Sequence, residues 1–149
     1  MKLSEALSLR ADLQRKIGQL KRRLCSCVKV QEGNDPIEDP VELRKELDRC
    51  FEQLEELVYR INYTNLVTER NGVSITKMIA QRDTLTLRVA VMREVLKYAS
   101  DIERYGRNEF RYLRMIDVAK MQQETDECAN RRRKLDMEIQ GINWTVDLL

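Results

Sequence analysis

Three groups of residues have types and spacings that suit chemistry. In the first, Arg104, Arg107, Arg111 and Arg114 interleave with Tyr105, Phe110 and Tyr112. Guanidinium groups alternating with aromatic rings suit a surface that holds phosphates and stacks bases. Glu103 and Glu109 dilute that charge, and strand-like alternation would put arginines and rings on opposite faces. The second group is carboxylates. Glu52, Glu55 and Glu56, with Glu124, Asp126 and Glu127, could converge on Mg²⁺ as the paired acidic motifs of four-helix nucleotide pyrophosphatases do. Glu52 and Glu55 supply half of such a pattern, and no second half follows. The third is the adjacent pair Arg82-Asp83, which places a cation and its counter-ion within a stretch of apolar spacing.

Other chemistry is harder to build. The chain has no histidine, which removes the commonest general base and metal ligand. Cys25, Cys27, Cys50 and Cys128 lack metal-site spacing and read as three core thiols and one exposed thiol. No serine-histidine-aspartate set, phosphate loop or dinucleotide fingerprint occurs. No catalytic residue, cofactor or metal is assigned, and an enzyme is not expected. With 27 basic and 25 acidic side chains the net charge is only +2, which speaks against a nucleic-acid partner.

These residues must be positioned by helices. The 149-residue chain is 35% charged and 42% hydrophobic, with few aromatics, glycines and prolines. Apolar residues recur at 3-4 spacing in four segments. The first seam is Leu3, Ala6, Arg10, Leu13, Ile17, Leu20, Leu24 and Cys27. The second is Leu43, Leu47, Cys50, Leu54, Leu57, Ile61, Thr64 and Thr68. The third is Ile75, Met78, Arg82, Leu85, Val89, Met92, Leu96 and Ala99. The fourth is Val118, Met121, Thr125, Cys128, Arg132, Leu135, Ile139, Ile142 and Val146. Of these 33 positions 27 are apolar, against roughly 14 for average composition. Arg10, Arg82 and Arg132 either snorkel to water or pair with a carboxylate.

Punctuation between the seams agrees. Gly33 and Pro36 stop the first helix. Asp39 caps the second with Pro40 behind it. Asn71-Gly72 reads as a hairpin turn; Ser74 and Asp117 read as caps of the third and fourth helices. The expectation is one all-α domain over 1–149. Helices run at about 3–31, 40–68, 75–103 and 118–147, with short extended elements at about 66–74 and 109–116. The helices are long and antiparallel, in a coiled-coil or helical-hairpin arrangement, with the small β element at one end. Stripes of that length call for a second chain, so a homo-oligomer is expected, with Leu57, Ile61, Leu85, Leu135 and Trp144 at the oligomer seam.

No apolar segment follows Met1, and no stretch suits a membrane span, so the expected address is the cytosol. In order along the chain, Met1–Leu7, Arg10–Gln14, Val30-Gln31-Glu32-Gly33, Glu38-Asp39-Pro40, Ile61-Asn62 and Thr64-Asn65 resemble the septicolysin-like family of bacterial helical proteins. Arg82-Asp83, Arg104-Tyr105, Val118-Ala119 and Asn143-Trp144-Thr145 extend the resemblance. It implies a soluble, oligomeric coiled-coil protein without enzymatic chemistry, and its name implies a pore-forming lysin. The residues themselves point to a structural or interaction protein. Alternatives are an anion- or nucleic-acid-binding module on segment 104–114, and a Mg²⁺-dependent pyrophosphatase.

Overall fold

In the computed structural model each seam becomes one helix. The structure describes residues 1–100 and 112–149. Helix α1 spans Leu3–Cys27 and α2 Pro40–Val67; strands β1 (Glu69–Arg70) and β2 (Val73–Ser74) form a two-stranded sheet; α3 spans Ile75–Ser100 and α4 Val118–Thr145. The fold is predominantly all-α with this small sheet.

The starts are set by side chains that satisfy orphan amides. Asp39 accepts from the Val41 N–H at 2.8 Å, Ser74 from Lys77 at 3.3 Å and Asp117 from Lys120 at 3.0 Å. At α1 the Glu5 carboxylate reaches back to the Lys2 N–H at 2.7 Å. Asn71 and Gly72 both take positive φ, 54° and 75°, as a two-residue hairpin turn of the mirror-image type requires.

Two stretches differ from the sequence reading. Helix α1 ends at Cys27 rather than near residue 31. Beyond Cys27 the seam has run out, and Val28 and Val30 are β-branched and exposed, so no packing offsets their poor helix propensity. The expected extended element at 109–116 is not a strand in its described part: 112–117 is irregular and Tyr112 to Ile116 are exposed. An alternating run needs a ladder partner, and this one pairs with none among the described residues.

The core follows the seams closely. Every seam position except Arg132 is buried or half-buried, and every buried residue among those described, except Leu148, lies on a seam. The chain divides into two compact units, Met1–Glu69 with Ile142–Leu149, and Arg70–Gly141.

In the first unit α1 and α2 form an antiparallel hairpin. Leu20, Cys27, Leu43 and Cys50 make its core, with Ile17, Leu24 and Leu47 against them. Lys16 to Glu46 at 2.8 Å and Arg23 to Glu38 strap the two helices along their edge. The far end is closed by the chain termini. The Leu3 N–H donates to the Val146 carbonyl at 2.9 Å and the Leu148 N–H to that of Met1 at 2.9 Å. Lys2 Nζ meets Asp147 at 2.9 Å and donates to the Thr145 carbonyl at 3.1 Å. Thr64, fully buried, accepts from the Leu149 N–H at 3.0 Å and donates to the Arg60 carbonyl at 2.8 Å. Arg60 Nε then donates to the Leu149 main-chain oxygen at 2.8 Å.

In the second unit α3 and α4 run antiparallel. Arg82 near the start of α3 reaches Asp136 late in α4, and Arg114, before α4, donates to the Ala99 carbonyl at the end of α3 at 2.8 Å. Ile75, Met78, Val89, Leu96, Cys128 and Ile139 are buried, and so is Thr125, whose hydroxyl donates to the Met121 carbonyl at 2.7 Å.

Candidate interaction surfaces

Arg82 is the best-built polar group on a seam. Its Nε and one Nη donate to Asp83 at 2.9 and 2.8 Å, and the other Nη reaches Asp136 at 3.3 Å. Gln140 Nε2 donates to the second oxygen of Asp136 at 2.9 Å. Hydrogen bonding to Asp83 is the main cause that raises the guanidinium pKa above its ordinary value, with Asp136 adding to it. This is a partly exposed charged cluster on the α3 seam, held by a carboxylate of its own helix and one of α4. Of the three seam arginines Arg82 pairs, Arg10 is half-buried and Arg132 is exposed.

The acidic residues do not gather. Glu52, Glu55 and Glu56 are exposed on α2, and Asp126 and Glu127 on α4 each accept from a glutamine one turn back, Gln122 and Gln123, at 3.1 Å. Among the described residues no three acidic or thiol side chains stand close enough to hold a metal ion. Cys25 is exposed and Cys27, Cys50 and Cys128 are buried, all as free thiols. Of the arginine-aromatic segment, Arg104, Tyr105, Arg107, Phe110 and Arg111 lie outside the described residues. Tyr112 is exposed, and Arg114 is spent on the end of α3.

The seam residues expected between chains are covered within one. Leu57 and Ile61 are buried and Leu85 and Leu135 half-buried. Trp144 is 71% exposed, because it projects away from the stripe made by Ile139, Ile142 and Val146.

What remains open is a set of apolar surfaces off the seams. A shallow, wide recess of about 600 Å³ lies at the turn end of the α1–α2 hairpin, lined by Leu24, Val28, Pro40, Val41, Arg44, Leu47 and Asp48. On α2, Tyr59 and Tyr63 stack with ring centroids 6.3 Å apart, beside exposed Leu66. The longest regular row is on α3. Leu87, Val91, Val95 and Tyr98 are 65, 51, 41 and 76% exposed. At 100° per residue they share a stripe about 80° wide on the side of α3 away from its seam. The helix is therefore apolar on two faces, a pattern that belongs to helices covered on both. The spacing of this second row was readable from the sequence, but the deeper seam on the same helix masked it.

A model of a family of unknown function, DUF6847, matches residues 10–148. The chain belongs to this family. It also resembles a protein of known structure, described as a functionally unknown conserved protein from Corynebacterium diphtheriae. The two share 34% identity over 100% of this chain and 99% of the other, with a TM-score of 0.91. No curated protein matches the chain. Membership in DUF6847 corrects the septicolysin-like resemblance, and the lytic activity implied by that name is withdrawn with it. The short motifs behind the resemblance are mostly helix caps, turns and seam residues, which the geometry of paired helices demands of any such protein. No helix among the described residues is long and apolar enough to cross a membrane.

Proposed function

We propose that this DUF6847 member is a cytosolic interaction protein without catalytic activity, and that the outer face of α3 is where it meets a protein partner. The row Leu87, Val91, Val95 and Tyr98 carries the reading. Four large apolar side chains in helical register on an already packed helix cost solubility unless something covers them. The side chains most able to do chemistry support it from the other side, since they are employed in structure. Arg82 binds two carboxylates, Asp39 and Asp117 cap helices, and Thr64 ties down the C-terminal residues. Four unpaired cysteines suit a reducing compartment.

The test is a photo-crosslinking residue placed at Val91 in cells, with the same residue at Gln19, exposed on α1, as control. Discrete protein adducts at Val91 and not at Gln19 are expected. Equal labelling at the two sites would sink the reading.

A further inference from the structure

The edges of the α3 row say what covers it. We infer that the occupant is a second copy of this chain, docked α3 against α3 in parallel; this rests on the reading of α3 as the partner-binding face. Lys77, toward the start of α3, and Arg88 lie on one side of the row, and Asp83 and Glu94 on the other with Lys97 further round; all five are exposed. In an antiparallel pair each edge would meet its own kind, Lys77 and Arg88 against the same residues of the second copy. In a parallel pair the basic edge of one helix meets the acidic edge of the other. Asp83 and Arg88 are five residues apart, the offset at which side chains flanking a parallel helix seam pair between helices, and symmetry makes the contact twice.

The row itself suits two strands. Val91 and Val95 at its centre are β-branched, a choice that favours paired helices over larger bundles. Thr84, exposed one turn before Val91's neighbour Leu87, extends the row toward the N-terminus of α3, with its hydroxyl already bonded to the Ala80 and Gln81 carbonyls at 2.9 and 3.0 Å. It therefore packs without an orphaned polar atom.

The experiment uses the full chain with the exposed thiol removed by Cys25→Ser. A cysteine is then introduced by Thr84→Cys, and mild oxidation follows. A parallel pair brings the two position-84 side chains together, and a covalent dimer is expected from this single variant. An antiparallel pair centred on Val91 would hold them roughly 20 Å apart; linkage only in a mixture of Thr84→Cys and Tyr98→Cys chains would overturn the parallel assignment. Light scattering across a concentration series should show the dimer directly, and Leu87→Glu with Val91→Glu should return a helical monomer. Arg88→Glu should weaken the dimer severalfold. A wild-type chain that is monomeric at every concentration overturns the second-copy assignment. If the Val91 photo-adducts persist in that case, on a different protein, the wider reading of α3 stands without it.

Discussion

The two units cover their long helices in different ways. In the first, the apolar stripes of α1 and α2 face each other, and outside them α2 exposes the shorter group Tyr59, Tyr63 and Leu66. The seam is filled by Leu20, Cys27, Leu43 and Cys50, the edge is strapped by Lys16–Glu46 and Arg23–Glu38, and the far end is closed by the termini. In the second, the seam admits Arg82 and Thr125, while α3 turns a further apolar row outward. Each unit buries one threonine on its seam, Thr64 or Thr125, and each leaves apolar side chains outside it; the second differs in carrying a carboxylate-paired arginine on the seam and the longer outward row. A helix that breaks the pattern in both directions is where selection for something other than folding is most visible.

The sharpest way to break this comparison is to make equivalent cuts in both units. Leu20→Ala removes three carbons' worth of packing from a side chain that is 1% exposed. It should cost about 2–5 kcal/mol in urea unfolding, equally at all protein concentrations. Leu87→Ala on the α3 row should stay within about 0.5 kcal/mol for the monomer. Its effect should appear instead as the loss of the concentration dependence of Tm that a dimer confers. Equal costs at the two positions would erase the distinction drawn between the units.

Thr64→Val comes next. The valine keeps the shape and removes the hydroxyl that accepts from the Leu149 N–H. An amide left without its partner at a buried site costs about 1–3 kcal/mol. The loss should be local at first: hydrogen exchange should quicken at Val146–Leu149 before it does at the Leu20–Cys50 core. Asp39→Ala should cost about 1 kcal/mol by freeing the Val41 amide at the start of α2, measurable as a fall in Tm with unchanged helical content.

How much of this was legible follows from the range of the forces. The seams, the caps Asp39, Ser74 and Asp117, and the Asn71-Gly72 turn are local matters of period, amide satisfaction and positive φ, and each stands where the residues indicate. The division into two units and the clasp of Met1–Leu3 with Val146–Leu148 rest on contacts nearly the whole chain apart. A periodicity shows which side of a helix is inward, not which helix it meets. Leu57 and Ile61 were therefore correctly apolar and wrongly pictured as waiting for another chain. Trp144 stands outside the seam of its own helix, as its offset from Ile142 already indicates. The α3 row was hidden by a richer stripe on the same helix, and the family by motifs that paired helices share.

The smallest expected effect separates the units by charge. Glu46 and Glu38 are held below their ordinary value of 4.5, chiefly by hydrogen bonds from Lys16 and Arg23, and Asp147 below 3.8 by that from Lys2. All three belong to the first unit. A carboxylate whose pKa is lowered on folding adds stability that is complete above its unfolded value and fades as pH falls through its folded one. The straps should therefore hold at neutral pH and weaken progressively below about 4.5. The decline should be slight, because the strap side chains keep roughly a third to a half of their surface in water. Arg82 is shifted the other way, above its ordinary value by its hydrogen bonds to Asp83, so its own titration contributes nothing to an acid-side change. Urea midpoints at pH 7 and near pH 4 should consequently differ less in Glu46→Gln than in the wild type. A difference that is the same in both would take the acid-sensitive charges out of the straps and remove the contrast.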